Sequence, residues 1–199
     1  MLPMIILASG SSSRRTLLER LRLPFEVIPA DVDETPLPSE AAAELASRLS
    51  FLKAEVVAAR YPGAVVIGSD QVGECRGTRL SKPGTAQRAE EQLHLIQGST
   101  VDFYSGVTVI DGRTRRTWTA VGHCELRLRP LDREQIRRYV ALDRPLASAG
   151  AFLAESLGSC LFEWARADDP TTLLGMPLIR LCAFLREAGI DPLTRDVRN

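Results

Sequence analysis

Apolar and polar positions along the chain alternate between two periods, and the changes of period mark the elements. Met4 to Ala8 is a short continuous apolar run, followed by Ser9, Gly10, three serines, and Leu17, Leu18 and Leu21 at helical spacing. That order predicts strand, tight loop and helix. Phe25 to Ile28 reads as a second strand, and the acidic, proline-rich stretch from Ala30 to Pro38 as irregular chain. From Ser39, taken as the N-cap, Ala42, Leu45, Leu49, Leu52 and Val56 form one stripe of a long helix reaching about Arg60, with Lys53 near its C-terminal end. Ala64 to Gly68 is fully apolar, as in a buried central strand, and stops at Ser69-Asp70-Gln71. The polar triplet is thereby expected at the strand's carboxyl end, where open α/β sheets bind ligands.

The second half carries more extended chain. Thr85 to Ile96 is a helix with Ala86, Ala89, Leu93 and Ile96 on one face and Gly98 as its stop. Thr100 to Ile110 and Arg115 to Arg129 predict two long strands joined across Asp111-Gly112, a dipeptide that favours a tight hairpin. In the second strand Trp118, Ala120, Cys124, Leu126 and Leu128 share the packed face, while Thr117, Thr119, His123, Glu125 and Arg127 share the wet one. Asp132 and Gln135 open a helix through a capping box, with Ile136, Tyr139 and Val140 inward. A glycine-punctuated segment, Ala149 to Gly158, precedes a strand around Cys160 to Trp164, and a last helix begins after Pro177 and ends at Gly189. With no internal repeat or low-complexity linker, one mixed α/β unit over residues 1–199 is the economical reading.

Composition narrows the partners. The 25 Lys plus Arg balance the 25 Asp plus Glu, so no global field draws the chain onto nucleic acid or an anionic membrane, and any anion site must be local. Cys75, Cys124, Cys160 and Cys182 are widely spaced and do not cluster with His94 or His123. Neither a zinc site nor a disulfide is expected, and burial is the default for all four, Cys160 included. The apolar stretch Met1 to Leu7 is too short for a signal, and no window approaches the roughly 20 apolar residues of a membrane span. A cytoplasmic location is the default expectation.

Chemistry concentrates in a few places. Leu7 to Arg15 sets Ser9, Ser11, Ser12, Ser13 and free amides at a helix N-terminus, with Arg14 and Arg15 in the first turn. Such a loop suits phosphate, since amides, helix dipole and forked guanidinium bonds all favour an anion. A capped helix with two solvated arginines gives the same pattern. Asp70, closing a buried run, needs a metal, a cation or a water, and acid, base and ligand are all open to it. Asp33 and Glu34 add carboxylates, and Lys53 and Lys82 are the only two lysines in a chain otherwise dependent on arginine. A triphosphate carries about four negative charges, of which one Mg²⁺ leaves roughly two for Arg14, Arg15, Lys53 and Lys82.

These residues, in this order, resemble the Maf-like nucleoside triphosphate pyrophosphatases along nearly the whole chain, from about Met4 to Leu193, and within them the 7-methyl-GTP type. The resemblance is carried by Leu7 to Ser11 with Arg14-Arg15, Asp33-Glu34, Lys53-Ala54, Ile67 to Gln71, Lys82-Pro83, Ser105-Gly106, Ala149-Gly150, Glu155 with Gly158, Leu161 to Glu163, and Gly175 to Leu178. It implies an elongated mixed α/β fold with flanking helices and two lobes around a cleft, of the inosine triphosphate pyrophosphatase kind, often a homodimer. The implied reaction cleaves a nucleoside triphosphate, 7-methyl-GTP by subgroup, between the α and β phosphates to monophosphate and pyrophosphate, a house-cleaning role. Asp70 matches the family's proton acceptor, Glu34 shares the metal or the base function, and Mg²⁺ or Mn²⁺ is the implied cofactor. Arg14, Lys53 and Lys82 would hold the triphosphate, with Ser9, Ser11 and Arg15 of the loop, while Ser13, Gln71 and Glu155 match positions tied to base choice. Ser12 and Ser13 replace a proline and an aromatic residue of the pattern, and a serine cannot stack on a cationic methylated base. Two other readings fit parts of the sequence: a non-catalytic nucleotide-binding module, from those serines, and a nucleotidyltransferase, from the short glycine-containing loop.

Overall fold

The structure is a computed structural model that describes residues 3–194; Met1 and Leu2 lie outside the described residues. A seven-stranded mixed sheet in the order β2-β1-β3-β5-β6-β7, with β4 paired to β3, runs through the whole molecule. Its strands are β1 (Ile5–Leu7), β2 (Glu26–Val27), β3 (Val65–Cys75), β4 (Thr78–Leu80), β5 (Thr100–Asp111), β6 (Arg116–Leu128) and β7 (Phe162–Ala167). The helices are α1 (Ser12–Glu19), α2 (Ala42–Arg60), α3 (Ala86–Ile96), α4 (Arg133–Asp143) and α5 (Leu178–Glu187). β1 and β2 are parallel to their neighbours, and the remaining pairs are antiparallel.

The apolar residues divide into separate cores along this sheet. One gathers Ile5, Leu7, Leu17, Leu18, Val107, Leu181 and Leu185 under α1 and α5. Another gathers Leu93, Ile96, Phe103, Leu126, Ile136 and Phe152 under α3 and α4. Two lobes therefore share one sheet, as expected for the mixed α/β fold with a cleft.

Asp70 does not close its strand. β3 continues to Cys75, so the polar triplet stands in mid-strand. What ends at that level is the parallel partner. β1 pairs with β3 only through Ile67, and β4 takes the same edge from Gly73 onward. The intervening edge of β3, which includes Asp70, opens between them.

Other boundaries shift for local reasons. Ser39 is not the N-cap of α2: it has φ +60°, and the helix starts at Ala42, with Glu44 accepting from the Ala41 amide at 2.9 Å. The inward face of α2 is Ala42, Leu45, Ala46, Leu49, Ser50, Lys53, Ala54 and Val57, whereas Leu52 is half-buried and Val56 is 39% exposed. The β5–β6 turn is four residues long, because Asp111 pairs with Arg116 and spends its carboxylate on the loop, accepting from the Arg113 amide at 3.0 Å and from its guanidinium at 2.8 Å. Cys160 lies in a 3₁₀ turn before β7 and is exposed rather than buried; all four cysteines are free. α4 starts as expected, through the reciprocal Asp132–Gln135 capping box. No helix among the described residues is long and apolar enough to cross a membrane.

Candidate active site

The loop after β1 is built by its own hydroxyls. Ser9 Oγ accepts from the Ser11 amide at 3.2 Å, and Ser11, the N-cap of α1, accepts from the Arg14 amide at 3.4 Å. First-turn amides are left without intrahelical acceptors, as at any helix start, and the turn itself contains no acidic residue. Arg14 folds back into the cleft: Nε donates to the Gly175 carbonyl at 3.0 Å, Nη1 donates to Ser9 Oγ at 3.3 Å, and Nη2 lies 4.0 Å from Asp70 Oδ1. Burial pushes this guanidinium below its ordinary pKa, against the opposing pull of Asp70 and then Glu34. Arg15 is not brought to the cleft. Its side chain, 63% exposed, pairs with Glu19 at 3.0 Å, because consecutive helical residues point about 100° apart.

Lys53 is the hub of the other wall. Its Nζ is 2.6 Å from Asp70 Oδ1 and 2.6 Å from Glu34 Oε1. α2 can deliver it there because the helix lies directly on the sheet: a Cβ at Gly68 would collide with the Ser50 carbonyl, and one at Gly106 with that of Ala46. The burial of Glu34 opposes its ionisation, but the Lys53 bond and charge, then Lys82 and Arg14, leave its carboxyl below the ordinary range. Asp70 Oδ1 is taken by Lys53, while Oδ2 accepts no hydrogen bond among the described residues.

Between the lobes is a cavity of about 390 Å³. Ser9, Ser11, Ser13, Arg14, Glu34, Lys53, Gln71, Lys82 and Glu155 all line it; Asp70 lies just behind Lys53 and Arg14, and Arg15 is outside. Glu155 reaches across from the second lobe and accepts a 2.9 Å hydrogen bond from Ser13 Oγ. Gln71 donates its amide to Ser105 Oγ and to the carbonyls of Thr172 and Leu173 at 3.0 to 3.1 Å, so its oxygen is what remains for a ligand.

Three contributors were not singled out as site residues from sequence. Phe103 and Phe152 form an apolar floor with ring centroids 5.5 Å apart, and nothing local distinguishes them from core residues. The Gly175 carbonyl, held also by Ser69 Oγ at 3.0 Å, aims Arg14; only the Gly175-Met176-Pro177 motif hinted at it. Among the described residues no group of three or more His, Cys, Asp or Glu side chains could hold a metal. Glu34 and Asp70 both converge on the Lys53 ammonium, and the carboxylate oxygens that it does not take, Asp70 Oδ2 among them, are the atoms that could reach a Mg²⁺ whose other ligands come from phosphate and water.

The family model described as Maf-like protein matches residues 4–188. A protein of Bordetella pertussis (strain Tohama I) named 7-methyl-GTP pyrophosphatase is 50% identical over 192 residues, covering 96% of each chain. One of the same name from Pseudomonas aeruginosa is 47% identical over 190 residues, covering 96% of this chain and 99% of that one. Among solved structures, the Staphylococcus aureus Ham1 protein superposes with TM-score 0.53 at 15% identity, over 93% of this chain and 99% of that one. A HAM1 protein from Coxiella burnetii gives TM-score 0.52 at 17% identity, over 94% and 100%. At such identity the structural likeness concerns the fold alone.

Proposed function

Since this chain belongs to the Maf-like protein family, we propose that it hydrolyses a nucleoside triphosphate, 7-methyl-GTP by preference, to the monophosphate and pyrophosphate. The observation that carries this reading is the convergence of Arg14, Lys53 and Lys82 with Glu34 and Asp70 at the mouth of a helix N-terminus. Three cations and free amides match a triphosphate, and the carboxylates among them are suited to accept a proton from water.

In this mechanism the triphosphate lies against the start of α1, held by Arg14, Lys53 and Lys82. Asp70 orients the attacking water through its free Oδ2, Lys53 fixing Oδ1, and takes the proton as the water oxygen bonds to the α phosphorus. The bond from the α phosphorus to the bridging oxygen breaks, and pyrophosphate leaves with that oxygen. Glu34 and Asp70 would hold Mg²⁺ or Mn²⁺ with the phosphates, which when bound supplies charge neutralisation and a more acidic water. At the other end Glu155 accepts from the N1–H and exocyclic amine of guanine, and its charge favours a base made cationic by 7-methylation. The oxygen of Gln71 is an acceptor too. The relatives' name supports the same base. A homodimer in the cytoplasm completes the reading.

The test is a hydrolysis panel with Mg²⁺ or Mn²⁺ over 7-methyl-GTP, GTP, UTP, CTP and dTTP, scored for pyrophosphate against phosphate. Pyrophosphate release, highest with 7-methyl-GTP and lost without metal, is expected. Nucleotide binding with no turnover across the panel rejects the enzyme, and 7-methyl-GTP among the poorest substrates rejects the base.

A further inference from the structure

A second cavity, of about 170 Å³, abuts the first along α1. Thr16, Leu17 and Arg20 belong to it alone, while Ser12, Ser13, Glu155 and Leu174 line both spaces. The 2.9 Å Ser13–Glu155 bond therefore stands at the boundary, and among the described residues it is the only hydrogen bond either side chain makes. The side chain facing Glu155 across the boundary is a serine, with Ser12 and Leu174 beside it. Leucine methyls supply the inner wall, with hydroxyls and a guanidinium beside them, a lining that suits an apolar group with at most a polar tip. At the ~30 Å³ that a water molecule occupies in the liquid, the space holds roughly five or six non-hydrogen atoms.

We propose that this cavity extends the base site and receives a small alkyl group carried on the exocyclic amine of guanine, so that N2-alkylated guanosine triphosphates are substrates. The proposal rests on the pyrophosphatase reading with Glu155 facing guanine. In that pose the carboxylate takes N1–H and one hydrogen of the amine, and the remaining position on that nitrogen is free to bear carbon. An alkyl chain leaving there starts beside Glu155 and passes the Ser13 hydroxyl, between Ser12 and Leu174, to reach the second cavity. Displacing that hydroxyl from a bond at the open end of the cleft costs little, since water replaces it.

The experiment compares kcat/KM for GTP and N2-isobutyl-GTP in the wild type and in Thr16→Phe, which narrows the second cavity from a position that does not line the first. The wild type is expected to cleave N2-isobutyl-GTP within about fivefold of GTP, and Thr16→Phe to lower the ratio of the two by about tenfold or more. Both substrates are read on the same preparation, so a loss of folded protein lowers both and leaves the ratio untouched. Cleavage of GTP with strong discrimination against the N2-isobutyl form in the wild type overturns the proposal. So does an unchanged ratio in Thr16→Phe. Absence of turnover with every triphosphate overturns the pyrophosphatase reading itself, and the substituent pocket with it.

Discussion

Lys53 holds two carboxylates with one ammonium, and the three groups differ in how much water they see. Its own side chain is 9% exposed and that of Asp70 10%, whereas that of Glu34 is 56% exposed. Removing the lysine strands Asp70, whose next cation, Arg14, is 4.0 Å away and already engaged with Gly175 and Ser9. Lys53→Ala is expected to lower stability by about 3 kcal/mol, read by urea denaturation, with activity falling in parallel. Asp70→Asn keeps the shape and an acceptor for Lys53 but cannot take a proton. It is expected to retain most of the stability and lose activity by about 10²-fold to 10⁴-fold. Normal turnover in that variant would remove Asp70 from the chemistry.

α2 is the element on which the site depends, and it works through what its inner face lacks. Ala46, Ser50 and Ala54, one turn apart, are small, and they meet Gly68 of β3 and Gly106 of β5. Gly68→Ala forces the helix off the sheet and carries Lys53 with it. The expected cost is about 1–3 kcal/mol in thermal or urea unfolding, with a fall in kcat larger than in a surface variant of equal stability. The start of the same helix is tied to the loop that bears Glu34: Arg48 grips Glu40 at 2.6 and 2.8 Å and donates to the Thr35 carbonyl at 3.1 Å, and Arg79 donates to the Glu40 carbonyl. The Arg48 bond, with help from the Leu37 amide, holds the Glu40 carboxyl down at about 2 against 4.5 unperturbed. A depressed pKa means that this contribution to stability is complete above about 4.5 and is lost as pH falls towards 2. In Arg48→Ala the acid-dependent loss of stability between those values should flatten, measured as urea midpoint against pH.

At the scale of the molecule the cleft depends on a segment far along the chain. Thr172 to Gly175 receives hydrogen bonds from Ser69, Gln71 and Ser105 of the sheet, and its Gly175 carbonyl also accepts one from Arg14 Nε. Gly122 of β6, which does not line the cavity, backs this segment, and a Cβ there would strike Thr172 Oγ1, a buried atom without a hydrogen-bond partner among the described residues. Gly122→Ala is therefore expected to shift the segment and disturb the aim of Arg14, raising KM for the triphosphate several-fold more than it lowers kcat. An unchanged KM at full activity would show that the segment does not position Arg14.

The sequence determined the elements whose signals are local. Ser11 capping α1, the Asp132–Gln135 box of α4, Pro177 before α5 and the alternating face of β6 are each decided within one or two turns or by a period of two. It also marked Asp70, because a carboxylate closing an apolar run demands a partner. Arg14 was marked at a helix start, Glu34 in an acidic loop, and Lys53 and Lys82 as the only lysines, while Glu155 was marked only by its place in the Maf-like motifs. Tertiary structure decided which partner each obtained. Whether Arg14 or Arg15 faces the cleft is a matter of helix rotation, fixed by packing Leu17 and Leu18 into the core. That Asp70 sits in mid-strand at an open edge follows from where β1 stops and β4 begins, a property of neighbours 60 residues before it and a few residues after. Phe103, Phe152 and the Gly175 carbonyl joined the site only because two lobes close over one sheet, and contacts between segments so distant leave no local period to read.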